Sequence, residues 1–151
     1  MRLMTVEAFC EKLRMEYESE LMDADVLFRI ECRCPQEQII CNWEHMRRFF
    51  GNLIGNSIQH ARAGHLELRL RCCREGEQVV FLFWDNGKGV PPELLQQIFE
   101  PLYTTDPGRK VSGLGLPICK SIMKAHGGTV GAESGPEGGL LVRASLPCVH
   151  L

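Results

Sequence analysis

With 151 residues, 44% hydrophobic and 24% charged, and a formal net charge of −2, the chain has the make-up of one soluble globular domain. The charge balance gives no basic footprint for nucleic acid, and no apolar run approaches membrane-spanning length. "MRLMTVEAFCEKLRMEYE" lacks the apolar core of a secretion signal, so a cytoplasmic domain without membrane contact of its own is expected.

Val6, Phe9, Cys10, Leu13 and Tyr17 recur at three- and four-residue intervals and predict an amphipathic helix over about residues 5–22. "DVLFRIEC" and "EQIIC" then predict two short strands separated by Cys34-Pro35. The helical period returns through Trp43, Met46, Phe50, Leu53 and Ser57, giving a second helix to about His60. "HLELRLRCC" alternates, with Leu66, Leu68 and Leu70 on one face, and "REGEQ" turns the chain into the buried strand "VVFLFWD". A short helix is expected over residues 92–99 after Pro91-Pro92, then a loop over residues 102–113. "LPICKSIMKAH" predicts a helix stopped by Gly127-Gly128, and "TVGAES" and "LLVRASLP" predict strands around a Gly/Pro-rich turn. Helices separated by adjacent strand pairs, without strict βα alternation, indicate an α+β sandwich formed by residues 1–151 as a single domain.

Eight cysteines occupy positions 10, 32, 34, 41, 72, 73, 119 and 148, with no Cys-x-x-Cys pair and no zinc-like Cys/His spacing. Free thiols acting as small hydrophobes in a reducing cytosol are expected, with disulfides or a metal as the alternatives.

Three segments carry chemistry. On the second helix Asn52, Asn56 and Gln59 fall within about a 60° stripe at the border of the apolar face, with His60 nearer that face. Buried carboxamides cost free energy unless paired, so they either bridge to a neighbouring strand or face a ligand. "WDNGKGV" ends a buried strand with turn chemistry but leads into "VPPELLQQIFEPLYTT", which is no return strand. "YTTDPGRKVSGLGLP" places Ser112, Gly113 and Gly115 at a helix N-terminus, where backbone N–H groups favour anions, with Arg109 and Lys110 just before. It matches neither the dinucleotide-binding fingerprint nor a Walker loop.

Taken in order, the Asn-bearing helix, the strand ending in Asp-x-Gly-x-Gly, "FEPLYTT" and Ser-Gly-Leu-Gly-Leu resemble the catalytic, ATP-binding domain of sensor histidine kinases. That domain belongs to a superfamily shared with gyrase, Hsp90 and MutL, and "AHGG" and the closing Leu146-Pro147 match its kinase branch. The resemblance implies a two-layer α/β sandwich of the Bergerat type. Its mixed, mostly antiparallel sheet of about five strands would pack on three main helices.

The resemblance also implies roles. Asn56 would bind the Mg2+ that bridges the ATP phosphates, and Asn52 would contact the phosphates or a metal-bound water. Asp85 would accept a hydrogen bond from the adenine amino group, with Gly87 and Gly89 giving the backbone room to approach the base. His60 stands where an aromatic residue often meets adenine, and Val90 is a further ATP-binding position. Gln59 falls where a lysine often contacts the phosphates, a contact that Arg109 or Lys110 would otherwise supply. Tyr103, Thr104, Thr105, Arg109 and Lys110 would belong to a lid over about residues 102–112. Ser112, Gly113, Leu114, Gly115 and Leu116 would line the phosphates.

Three departures stand out: Gln59 where a lysine is frequent, Leu140 in place of a threonine, and a short lid. Related ATP hydrolases and anti-sigma serine kinases have a glutamate base at the position of Asn52, which an amide cannot replace. A histidine kinase needs no such base, since imidazole is nucleophilic near neutral pH. None of the five histidines is followed by an acidic residue, the acceptor pattern of the family. The acceptor is therefore expected on a separate dimerisation and phosphotransfer domain that in turn serves a response regulator, and the isolated chain is expected to be monomeric. The alternatives are a nucleotide-sensing interaction module with little catalysis and an anti-sigma-type serine kinase.

Overall fold

The first element is one the hydrophobic pattern does not announce. In the computed structural model, which describes residues 1–62, 64–100 and 116–150, Arg2–Thr5 forms strand β1. It pairs antiparallel with β3, Gln38–Cys41, as a separate two-stranded sheet. Thr5 then caps helix α1, Val6–Asp23, by accepting the Ala8 N–H at 3.1 Å. Helix α1 buries Val6, Phe9, Cys10, Leu13 and Leu21, the face expected from its periodicity.

The main sheet is built from β2 (Leu27–Cys32), β4 (Glu67–Glu75), β5 (Gln78–Asp85), β6 (Thr129–Ser134) and β7 (Leu140–Pro147). Their order is β2-β4-β5-β7-β6, with β2 parallel to β4 and every other pair antiparallel. The two strands expected on either side of Cys34-Pro35 both form, but they join different sheets. Alternation along the strands sends Leu68, Leu70, Phe81, Phe83, Val142 and Ala144 into one core with the helices. Between them Arg69, Arg71 and Arg143 are exposed on the other face.

Helix α2, Trp43–Gln59, crosses this core. Phe9 of α1, Phe50 of α2 and Phe81 of β5 meet with ring centroids 5.4 to 6.0 Å apart, joining two helices to the central strand. Helix α3, Pro117–Ala125, lies beside α2 and directs the Cys119 thiol toward the Phe49 carbonyl at 3.7 Å. Three helices on a five-stranded mixed sheet are thus the two-layer sandwich expected.

One correction concerns a detail. Residues 92–99 do not form the predicted short helix: only Pro92–Leu94 makes a single 3-10 turn. The hydrogen bonds that follow run from Gln97 to Leu94 and from Glu100 to Gln97, a chain of turns that suffices to bury Ile98 and Phe99. His126 sits at the C-terminus of α3 and is buried. Its Nδ1–H donates to the Ile122 carbonyl at 2.8 Å, and its Nε2 accepts the Asn42 N–H at 3.0 Å. It therefore ties the end of α3 to the residue that caps α2.

All eight cysteines are free, five of them buried. The Cys10 and Cys72 sulfurs lie 3.6 Å apart between α1 and β4. Among the described residues no helix is long and apolar enough to cross a membrane, and no His/Cys/Asp/Glu group is arranged to hold a metal ion.

Candidate functional site

The site begins as an anomaly in the packing of α2. Asn42 caps the helix by accepting the His45 N–H at 3.1 Å, and the buried stripe runs through Met46, Phe49, Phe50, Leu53 and Ile54. At its C-terminal end the same stripe continues as Asn56 and Ser57, only 7% and 1% exposed. A buried polar side chain needs a partner or costs free energy. Ser57 has one: its hydroxyl donates to Asp85 Oδ2 at 2.7 Å. The Asn56 Oδ1 has none among the described residues.

Asp85 is the last residue of β5, the central strand, and alternation puts it on the same face as Phe81 and Phe83. Its carboxylate is 5% exposed and accepts two hydrogen bonds, from Ser57 and from the Gly87 N–H at 2.8 Å on Oδ1. Asn86 has a different task. Its side chain accepts from the Glu67 N–H at 2.8 Å and donates to the His65 carbonyl at 3.0 Å, pinning the turn to the start of β4.

The loop also closes on the end of α2. The His60 carbonyl accepts the Lys88 N–H at 3.1 Å, and a Cβ on Gly87 would stand 2.8 Å from that carbonyl oxygen. Glycine at this position is therefore demanded by the helix end, whatever else approaches it. His60 itself is half-buried, with Nδ1–H donating to the Asn56 carbonyl at 3.0 Å. Asn52, Gly89 and Val90 are half-buried, Gln59 is exposed, and Leu116 is fully buried ahead of α3. Tyr103, Thr104, Thr105, Arg109, Lys110 and Ser112 to Gly115, with the whole predicted lid, lie outside the described residues.

The geometry brings the end of α2 and the end of β5 together around one carboxylate and one unpaired amide oxygen. Chemically, that pair offers acceptors only: Asp85 for a donor such as an amino group, Asn56 Oδ1 for a cation or a polar hydrogen. A separate open groove of about 860 Å3 lies on the far face of the sheet, over Leu82, Trp84 and Leu141. Two of its arginines, Arg69 and Arg71, are paired with Glu137 and Glu31.

Residues 41–150 match the family of histidine kinase-, DNA gyrase B- and HSP90-like ATPases. The chain belongs to this family. The sensor histidine kinase GtrS of Pseudomonas aeruginosa is 38% identical over 107 residues, 70% of this chain and 22% of that protein. The sensor protein IrlS of Burkholderia pseudomallei is 34% identical over 140 residues, 90% of this chain and 29% of that protein. The chain thus spans less than a third of the length of these curated relatives. The catalytic domain of histidine kinase ThkA has the same fold, with a TM-score of 0.80 and 22% identity over 97% of this chain and 94% of that one. ThkA in complex with the response regulator protein TrrA superimposes equally well, at 0.80 and 21% identity over 98% of this chain and 42% of that one.

Two contacts around Asp85 are decided only by the tertiary structure. Ser57 was counted as part of an apolar stripe, although a hydroxyl in such a stripe is itself the signal that something polar faces it. Gly139, the late glycine before Leu140, falls in the Gly/Pro-rich turn. In the structure it lies just before β7, against the backbone of Asp85, which pairs with Leu140 across the strands. Leu140 is 4% exposed and belongs to the core.

Proposed function

We propose that this chain is the ATP- and Mg2+-binding catalytic domain of a sensor histidine kinase, working in the cytoplasm as a single domain that is monomeric in isolation. Its reaction is transfer of the ATP γ-phosphoryl group to a histidine on a separate dimerisation and phosphotransfer domain, which then serves a response regulator. Family membership and the sensor-kinase relatives support the class of activity. The observation that carries the reading is the Asn56 Oδ1, buried and without a partner among the described residues.

An amide oxygen in that state suits Mg2+, which takes oxygen ligands and keeps several waters, so one protein ligand beside phosphate oxygens is adequate. Bound there, Mg2+ supplies charge neutralisation on the phosphates. Asn52, one turn earlier, contacts the phosphates or a water. As a carboxylate held by Ser57 and Gly87, Asp85 accepts from the adenine amino group. His60, Gly87, Gly89 and Val90 surround the base, Gln59 lies toward the phosphates, and Leu116 leads into the phosphate-facing helix start. Tyr103, Thr104, Thr105, Arg109, Lys110 and Ser112 to Gly115 complete the phosphate side from the lid.

Because Asn52 supplies no base, the nucleophile has to attack without one, which imidazole does near neutral pH. The N–P bond forms as the bond to the β–γ bridging oxygen breaks, and ADP leaves with that electron pair. The imidazole proton passes to a group on the acceptor's own domain. Calorimetric titration with a nonhydrolysable ATP analogue, with and without Mg2+, tests the reading. Binding that falls on the order of tenfold without Mg2+, and an Asn56→Ala variant that loses this dependence, are expected. No binding at millimolar nucleotide would overturn it.

A further inference from the structure

We propose that Ser57 is a positioning residue that sets purine selectivity, by holding the Asp85 carboxylate as a fixed, acceptor-only reader of the six-position of the base. The inference rests on the reading of Asp85 as the adenine contact. Its structural basis is a second connection between α2 and β5, independent of any ligand. The Ser57 hydroxyl, 1% exposed, donates to Asp85 Oδ2 at 2.7 Å, while the Gly87 N–H donates to Oδ1 at 2.8 Å.

One donor on each oxygen fixes the rotation of the carboxylate about its Cβ–Cγ bond. Each oxygen keeps a further lone pair for a ligand. The titratable neighbours on the adjoining segments are His60, the C-cap of α2, Glu67 of β4 and Lys88 of the loop. None of their side chains bonds the carboxylate: His60 Nδ1 is turned to the Asn56 carbonyl, and Glu67 pairs with Arg69. The Lys88 side chain is exposed. The charge on Oδ2 is therefore compensated by the serine hydroxyl alone among the described side chains.

Adenine presents an amino donor at its six-position, whereas hypoxanthine presents a carbonyl acceptor. A carboxylate locked by two donors can pair with the first and repels the second. Without the serine hydroxyl, the buried Oδ2 loses the donor that sets the rotation of the carboxylate. A carboxylate free to turn presents its oxygens to the six-position less squarely, so both the gain for an amino donor and the cost for a carbonyl shrink and discrimination falls. Loss of one charge-assisted hydrogen bond in a buried site corresponds to about a tenfold change in that ratio.

The test is the ratio of affinities for Mg2+-ATP and Mg2+-inosine triphosphate, measured by calorimetry on the chain and its variants. Ser57→Ala should reduce the ratio about tenfold, and Ser57→Thr, which keeps the hydroxyl, should restore it. Ser57→Val, matched to threonine in shape, should behave as Ser57→Ala, which keeps the comparison valid if the smaller side chain loosens the fold. A purely structural serine would lower both affinities together and leave the ratio in place. If Asp85→Asn reduces the ratio while Ser57→Ala and Ser57→Val leave it unchanged, the role of Ser57 is refuted on its own. If Asp85→Asn also leaves it unchanged, the adenine reading of Asp85 fails and the role of Ser57 with it.

Discussion

Replacing Gly139 by alanine tests whether the floor of the site is set by backbone contact. Gly139 has φ +75°, and a Cβ there would overlap the Asp85 carbonyl oxygen, lie 2.9 Å from the carbonyl carbon and 3.2 Å from the Asn86 Cα. The left-handed conformation costs alanine roughly 1–2 kcal/mol, and forcing atoms into filled space adds roughly 1–3 kcal/mol. A less flexible unfolded chain returns about 0.4–1 kcal/mol. The net loss is about 3 kcal/mol, or a fall in melting temperature of roughly 6–12 °C for a domain of this size. Gly138 is the internal control, because it has φ +88° but nothing within 4 Å of its Cβ. Gly138→Ala should bear only the backbone cost, about 1 kcal/mol or roughly 2–4 °C. Thermal unfolding followed by circular dichroism measures both. Equal falls at the two positions, or a Gly139→Ala midpoint within about 2 °C of the parent, would show that the turn before β7 does not press on Asp85.

Two more outcomes follow from buried groups outside the site. His126→Ala removes the acceptor of the Asn42 N–H and the donor to the Ile122 carbonyl, so a loss of about 1–3 kcal/mol in urea unfolding is expected. An unchanged urea midpoint would mean that water replaces both bonds. Burial pushes the thiols of Cys119 up to about 12 and of Cys41 up to about 11. A raised acid is favoured in its protonated form by folding, so this stabilisation is complete below the unfolded thiol value of about 8.5 and is lost as pH rises toward 12. The urea midpoint should therefore drop between pH 8 and pH 10.5, less steeply in Cys119→Ala. A slope that Cys119→Ala leaves unchanged would assign the loss to other groups.

Much of the scaffold was legible because it obeys local periodicity. The 3.6-residue pattern of α1 and α2, the alternation of β4 and the apolar run of β5 each follow from which face meets the core. The order of Asn56, Asp85 and the glycine-rich segments was enough to recognise the family. What escaped notice depends on partners distant in the chain. The four residues of β1 are too short and too exposed to show a pattern, and they become a strand only because Gln38–Cys41 offers free backbone groups. Leu94, Leu95, Ile98 and Phe99 resemble a helical face, yet burial of Ile98 and Phe99 is achieved by successive turns.

The site divides in the same way. By itself the sequence determined that α2 ends in polar residues on an otherwise apolar stripe and that β5 ends in a carboxylate, since both follow from residue type and period. Only the tertiary structure decided what those groups face. It set Ser57 against Asp85, 28 positions away, gave Gly87 to the end of α2 and Gly139 to the back of Asp85, and left the Asn56 oxygen without a partner among the described residues. The physical reason is that periodicity selects a face, whereas a hydrogen bond requires two particular atoms to meet at a definite distance. That distance is fixed by how the strands and helices pack, which no local pattern contains.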